Sequence, residues 1–279
     1  MRVTIFGASG LLGKALLREW KGPDEVSGLS SHDADLRDPA QVNAAVERTK
    51  PNWIVLAAAY TDVDGCESNP ERAFSVNRDG AVHVAQAAAR TGASLLFLSS
   101  DYVFDGMKTS PYETGDARNP QSVYGRSKAE AELRLIEILP QCCIVRTSWL
   151  FGTGGKCFPD TILRLAATRP VLDVVNDQRG CPTYATDLAR AIMELCRKNA
   201  SGIVHATNSG DCTWFEFARA IVAQAGLPTE VRPVSTQQMA RPASRPAYSV
   251  LSATSLRGYG ISLPTWQDAL RRYLQERAA

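Results

Sequence analysis

Tyr124 and Lys128 stand four residues apart in the segment Ser122-Val-Tyr-Gly-Arg-Ser-Lys-Ala-Glu. On a helix that spacing is about one turn, so both side chains share a face. A free tyrosine titrates near pH ~10 and transfers protons poorly at neutrality. A lysine ammonium one turn away favours the phenolate and predicts a pKa drawn toward the working range. A phenol tuned in this way exchanges a proton with a carbinol oxygen, which is the chemistry of carbonyl–alcohol interconversion. The spacing alone is common, and it also fits a half-buried tyrosine beside a solvated lysine. Its weight comes from what surrounds it.

The chain opens Val3-Thr-Ile-Phe-Gly7-Ala-Ser9-Gly10-Leu11-Leu12-Gly13. A short apolar run, a glycine cluster and an apolar periodic stretch predict strand, turn and helix. Glycines let backbone N–H groups approach a ligand, and the helix start beyond them carries free N–H groups and a positive dipole end. The loop therefore suits a pyrophosphate, although its Gly-x-x-Gly-x-x-Gly spacing differs from the Gly-x-Gly-x-x-Gly dinucleotide fingerprint. The next strand ends at Ser30, followed by Ser31 and His32, where an acidic residue would favour NAD. With no carboxylate there, NADPH is tolerated. No arginine marks a grip on its 2′-phosphate, so NADH stays open. A third element ends at Ser99-Ser100-Asp101-Tyr102. Alternation lets one of the two serines face a site at the strand end, and Ser100 is preferred.

These residues need a scaffold. The 279 residues allow one large domain or two small ones, and 44% hydrophobic with 22% charged residues is ordinary for a globular chain. A net charge of +2 offers no polybasic signal for nucleic acid or membrane, and no apolar stretch reaches the length of a span. Seven cysteines, an odd number without Cys-x-x-Cys, predict reduced thiols serving as small hydrophobes in the cytoplasm. No acidic cluster demands a metal.

Short apolar runs predict strands at Val3–Phe6, Val26–Leu29, Trp53–Ala58, Ser94–Ser99, Cys143–Thr147 and Ile203–Thr207. Helix starts are predicted at Asp38-Pro39, Asn69-Pro70 and Asn119-Pro120, and a helix stop at Gly92. Strands alternating with helices imply an α/β Rossmann-type, doubly wound parallel sheet. Residues 1–149 with about 176–208 are expected to form this nucleotide-binding domain. Residues of about 150–175 and 209–279 are expected to form a smaller, discontinuous substrate-binding domain. It includes helices over Thr213–Ala225 and Trp266–Leu274, and a loop with short strands over Thr229–Ser249.

The glycine loop, Ser100 and Tyr124-x-x-x-Lys128 together resemble the extended short-chain dehydrogenase/reductases. A closer likeness covers nearly the whole chain. Ala58-Ala-Tyr-Thr-Asp-Val-Asp64, Val76-Asn77, Ser100-Asp-Tyr-Val-Phe-Asp-Gly106, Arg146-Thr-Ser-Trp-Leu-Phe-Gly152, Asn176-Asp-Gln-Arg-Gly-Cys-Pro-Thr183 and Arg241-Pro-Ala-Ser-Arg-Pro246 resemble the dTDP-4-dehydrorhamnose reductases. Dehydratases and many epimerases of the wider family carry an acidic residue where Tyr102 stands, which favours a plain reductase.

The resemblance implies roles. Tyr124 is the proton donor, Lys128 its electrostatic partner and ribose ligand, and Ser100 replaces the family's usual threonine. Gly7, Ser9, Gly10, Leu11, Leu12, Gly13, Ser30, Ala58, Ala59, Thr61 and Ser99 border the cofactor, with Asp35 and Leu36 near adenine. Val63, Ser100, Asp101, Tyr102 and Trp149 line the sugar pocket, and Arg241 and Arg245 meet the diphosphate of a nucleotide sugar or form a solvated cluster. Asn77 is expected to bond backbone inside its own helix. Tyr248 replaces the family's asparagine, so contacts in that loop are open.

The implied reaction is NAD(P)H-dependent reduction of the 4-keto group of dTDP-4-dehydro-L-rhamnose, in polysaccharide precursor synthesis. The alternatives are reduction of another 4-keto nucleotide sugar, or a non-catalytic regulatory subunit, against which an intact Tyr124–Lys128 pair argues. A monomer or homodimer is expected. Some relatives bind magnesium between subunits, which leaves that metal open here.

Overall fold

The computed structural model describes residues 1–278. Five strands, β1 (Arg2–Phe6), β2 (Glu25–Leu29), β3 (Trp53–Leu56), β4 (Ser94–Ser100) and β5 (Cys143–Thr147), join an edge strand, Gly202–His205, in one sheet. All pairs are parallel, in the order edge strand, β5, β4, β3, β1, β2. The chain leaves β1 toward β2 on one side and returns to β3 on the other. Ligands of open parallel sheets collect above such a reversal, at the carboxyl ends of the strands.

The strands are apolar on both faces because helices cover both. Val3, Ile5, Val55, Leu96 and Val145 point toward helices Leu11–Glu19 and Ala185–Arg197. Phe6, Ile54, Leu56, Phe97 and Ile144 point toward helices Pro39–Thr49, Gly80–Thr91 and Val123–Ile138. Each aliphatic or aromatic side chain buried this way contributes about 1.5–3 kcal/mol relative to an exposed one.

Helix punctuation follows the chain's own signals at most ends. Asp38 and Asn69 accept backbone N–H bonds at their helix starts, and Gly92 ends its helix with φ +70°. The Asn119-Pro120 expectation fails. That helix starts at Val123, capped by the Ser122 hydroxyl, which accepts from Gly125 N at 3.1 Å. Asn119 lies in the preceding loop, where its side-chain amide donates to Asp105 at 3.2 Å.

The later part of the chain carries an aromatic cluster of Phe151, Tyr184, Phe217, Trp266 and Tyr273 between helices Phe158–Ala166, Trp214–Gln224 and Trp266–Ala278. Thr213 and Glu216 form a reciprocal capping box at the start of the second of these. Strands Val171–Val175 and Glu230–Val234 pair in parallel beside them. All seven cysteines are buried. Among the described residues no helix is long and apolar enough to cross a membrane.

Candidate active site

A crevice of about 730 Å³ opens above the carboxyl ends of β1, β3 and β4. At its floor the chain turns sharply at Gly7, whose φ is +90° and where a Cβ would meet Ala58 N at 2.6 Å. Only glycine satisfies both demands. Helix Leu11–Glu19 then starts at Gly10 with no side chain bonded to its first N–H groups. Those donors border the crevice, as anion-binding helix starts do.

The crevice gathers nearly every residue singled out from sequence. Gly7, Ser9, Gly10, Leu11, Leu12, Gly13, Ser30, Asp35, Leu36, Ala58, Ala59 and Thr61 line one part. Val63, Ser99, Ser100, Asp101, Tyr102, Tyr124, Lys128 and Trp149 line the other. Arg241 and Arg245 stand apart from that lining. Arg245 Nη2 bonds Asp64 Oδ2 at 2.9 Å and Arg241 Nη1 reaches it at 3.4 Å. Asp64 follows Val63, so this pairing sits one residue from the crevice wall.

Helix Val123–Ile138 carries Tyr124 and Lys128. Its amino end is held from outside, since Val123 N donates to Glu67 Oε1 at 2.7 Å. Close approach is required one residue on: a Cβ on Gly125 would lie 2.2 Å from the Tyr102 carbonyl oxygen. Tyr102 and Tyr124 can thereby meet edge to face, with centroids 5.6 Å apart. Asn77 bonds outside its own π-helical turn. Its amide clamps both backbone groups of Tyr60 and also donates to Ser127 Oγ at 3.0 Å. It therefore ties the loop after β3 to the Tyr124 helix.

The electrostatics correct the expectation for Tyr124. Burial pushes the phenol above its ordinary range, and the Ser100 hydroxyl, not Lys128, works against that shift. The physical reason is the phenol's own burial, and the lysine beside it is buried too. Lys128 is 1% exposed, and its Nζ sits 4.0 Å from the Phe97 ring centroid. Burial brings its ammonium down to about 7, with Glu132 pulling it back up. Asp101, also buried, is raised to about 6, against the pull of the Ser249 and Ser100 hydroxyls.

The two serines separate as alternation requires. Ser100 Oγ donates to Asp101 Oδ1 at 2.8 Å, whereas Ser99 Oγ donates to the buried Glu132 Oε1 at 2.5 Å.

Several lining residues escaped the sequence reading. Trp214 stacks on Trp149, with centroids 3.5 Å apart and planes 7° from parallel. Trp149 holds a left-handed backbone at φ +46°, an uncommon state for a bulky residue. Arg37 also borders the crevice and grips Asp35 with Nε at 3.0 Å and Nη2 at 2.5 Å, which holds that carboxyl below its usual range. The end of β2 is thus less free of charge than its serines imply. Asp33 adds to this by accepting from the Ser30 amide and hydroxyl. Among the described residues no three His, Cys, Asp or Glu side chains come together as a metal-holding group.

A reversal-point crevice with a glycine-lined floor and a Tyr-x-x-x-Lys helix along one wall defines a Rossmann-type oxidoreductase. Comparison with known proteins narrows this. The chain belongs to the RmlD substrate binding domain family, whose model matches residues 1–279. It is 40% identical over 279 residues to the spore coat polysaccharide biosynthesis protein SpsK of Bacillus subtilis, covering 100% of this chain and 98% of that one. It is 39% identical over 284 residues to a dTDP-4-dehydrorhamnose reductase of Sinorhizobium fredii, covering 98% and 96%. A crystal structure of the Bacillus anthracis dTDP-4-dehydrorhamnose reductase in complex with NADP superimposes with a TM-score of 0.96 at 38% identity, over 99% of each chain.

Proposed function

We propose that this protein reduces the 4-keto group of dTDP-4-dehydro-L-rhamnose to give dTDP-L-rhamnose, with NADPH as the preferred reductant and NADH as the second. The observation that carries the reading is the convergence of a phenol, a serine hydroxyl and a lysine on one crevice whose floor is the glycine loop. The reductases of Sinorhizobium fredii and Bacillus anthracis support it.

A nicotinamide dinucleotide fits the features of this chain. Its pyrophosphate suits the free N–H groups at the start of helix Leu11–Glu19 and the close backbone of Gly7, Ser9, Gly10, Leu11, Leu12 and Gly13. Ser30, Asp35 and Leu36 border the adenosine end, Ala58, Ala59, Thr61 and Ser99 the middle, and Lys128 the nicotinamide ribose. When bound, the cofactor supplies the hydride.

The chain supplies the proton and the positioning. Tyr124 Oη gives its proton to the oxygen of the carbonyl being reduced. Burial keeps that phenol protonated, which is the form a donor needs in the reductive direction. Ser100 Oγ orients the same oxygen. Val63, Asp101, Tyr102 and Trp149 hold the sugar. Arg241 and Arg245 exchange Asp64 for the substrate's diphosphate, a stronger partner for two guanidinium groups. On this reading residues 1–149 with about 176–208 form the cofactor domain, and about 150–175 with 209–279 the substrate domain. Seven buried thiols suit the reducing cytoplasm.

The test is to offer the purified protein a panel of 4-keto nucleotide sugars with NADPH and with NADH, and to identify the products. dTDP-4-dehydro-L-rhamnose should drive the fastest oxidation. No sugar-dependent oxidation with any member of the panel overturns the reading.

A further inference from the structure

One part of the crevice wall is built from two stacked indoles, and only one of them has a place in the proposed chemistry. Trp149 and Trp214 both line the crevice, and both are half-buried. Their ring centroids lie 3.5 Å apart, with planes 7° from parallel. Trp149 belongs to the loop after β5, and Trp214 opens helix Trp214–Gln224. Each is fixed by its own surroundings. The Ser148 hydroxyl donates to the Cys181 carbonyl at 2.7 Å, and the Thr183 amide donates to the Trp149 carbonyl at 3.2 Å. The Trp149 ring lies against Gly180, where a Cβ would come within 2.6 Å of its Cε2. Gly180 pairs in turn with Cys212, two residues before Trp214, in a short antiparallel ladder. Trp214 is held by the capping box of Thr213 and Glu216, and by Phe158, whose ring centroid lies 4.5 Å away.

Stability alone does not call for this arrangement. Aromatic rings contribute most when their whole area leaves water, yet both of these rings border a cavity. Trp149 also keeps its left-handed backbone, which is unfavourable for a bulky residue. Outliers of this kind persist where the surrounding structure over-determines them, and they cluster at ligand clamps. A lone indole on a loop would swing between rotamers. A second indole laid flat against it restricts that freedom. We propose that Trp214 is a positioning residue for the sugar. It is the back plate that holds the Trp149 ring in one orientation, so the sugar pocket takes its shape from the start of helix Trp214–Gln224 as well as from Trp149.

The chemistry of the pair says which ligand feels it. An indole presents a flat apolar face, which matches the C–H face of a sugar ring, and a 6-deoxy sugar adds a methyl group to that match. Neither indole carries a charge, so a diphosphate gains nothing from them. A pyrimidine base also stacks on indoles, and the bare nucleotide distinguishes that case from a sugar.

The inference rests on the reading of Trp149 as a wall of the sugar pocket, and the test separates the two. Affinities for dTDP-L-rhamnose, dTDP and NADPH are measured by calorimetric titration. Trp214→Leu keeps an apolar side chain without a flat face, and Trp214→Phe keeps a smaller flat ring. Trp214→Leu should weaken dTDP-L-rhamnose about tenfold, the order expected for losing a stacked aromatic partner, and leave dTDP and NADPH nearly unchanged. Trp214→Phe should recover most of that loss. In a Trp149→Leu background the Trp214→Leu change should add little, because the plate then has nothing to hold. If Trp214→Leu does not fold, Trp214→Met, also without a flat face, takes its place. Unchanged affinity for dTDP-L-rhamnose in the folded variant overturns the inference, as do full additivity with Trp149→Leu and an equal loss for dTDP. A merely structural role would weaken all the ligands together with the melting temperature, and that result overturns it too. A wild type that binds dTDP and dTDP-L-rhamnose equally well has no sugar pocket at Trp149, which overturns that reading and this inference with it. The expected pattern without reduction of any keto sugar sinks only the reaction assignment.

Discussion

The two ends of the crevice use the same chemical groups under opposite conditions. At the end that holds Tyr124, the residues Lys128, Glu132 and Arg146 are each no more than 1% exposed, and Arg146 Nε and Nη2 bond the Glu132 carboxylate at 2.9 and 2.6 Å. At the end lined by Ser30 and Leu36, the Arg37 and Asp35 side chains are 57% and 31% exposed. A carboxylate–guanidinium pair at either end has bond lengths in the same range, yet water changes what the pair does. In the dry pair a lost partner leaves a stranded charge, and local pKa values move far. In the wet pair solvent takes over from a lost partner, so the arginine is free to change partners. The buried end is built to hold one arrangement and the open end to exchange.

Breaking the dry end should produce the largest effects. Arg146→Met leaves Glu132 buried with one fewer cation, and we expect a loss of about 3–5 kcal/mol in denaturant unfolding. A loss within experimental error would show that water reaches Glu132, and the contrast between the two ends would collapse. Tyr124→Phe removes the proposed proton donor without creating a charge. Turnover should fall at least ~100-fold, about 2.7 kcal/mol of barrier, with cofactor affinity nearly unchanged. Wild-type-like turnover would refute Tyr124 as the donor. Lys128→Met should impair both turnover and cofactor affinity, and unchanged values for both would remove its double role.

The pH dependence of stability sharpens the same contrast. Lys128 titrates near 7 in the folded chain and near ~10.4 when unfolded. Between these values the unfolded state binds more protons, so stability contributed by this site rises with pH across that window. Lys128→Met should flatten this part of the wild-type stability curve, read from denaturant midpoints between pH 7 and 10. A variant curve parallel to the wild type would place the lysine in water.

How much of this could be read from the chain follows the same division. The sheet was legible because β1, β3, β4 and β5 are short apolar runs, and burial on both faces leaves that signature. The glycine loop and the Tyr124–Lys128 spacing were legible because local geometry alone produces them. The protonation of Tyr124 was not, because it depends on how completely neighbouring elements exclude water from the phenol. Glu132 had a signal that went unused: it continues the four-residue spacing from Tyr124 through Lys128 on one helical face. Arg146 had one too, as a charged residue inside the apolar run Cys143–Thr147. Trp214 and Arg37 carried no comparable mark. A tryptophan at a helix start and an arginine in a turn are ordinary until the fold brings them to the crevice. The Asn119-Pro120 start failed because a cap and a proline look alike in a helix and in a loop.

The smallest expected effect belongs to the wet end. Among the described residues Arg37 is held there only by Asp35, two residues away in the same turn, and Ser30 and Ser31 lie on the same stretch of lining. A 2′-phosphate bound at this end would compete with Asp35 for the guanidinium and carry more negative charge, so Arg37 would turn to it at little cost. Arg37→Ser should therefore leave the melting temperature unchanged, because an exposed pair adds little to stability. The same change should raise the KM for NADPH about tenfold, as loss of one charge-assisted hydrogen bond does, and leave the KM for NADH nearly constant. Equal effects on both cofactors would mean that Arg37 serves the adenosine as a whole. A fall in melting temperature as large as that of Arg146→Met would mean that exposure does not separate the two pairs, and the division between a fixed end and an exchanging end would have to be given up.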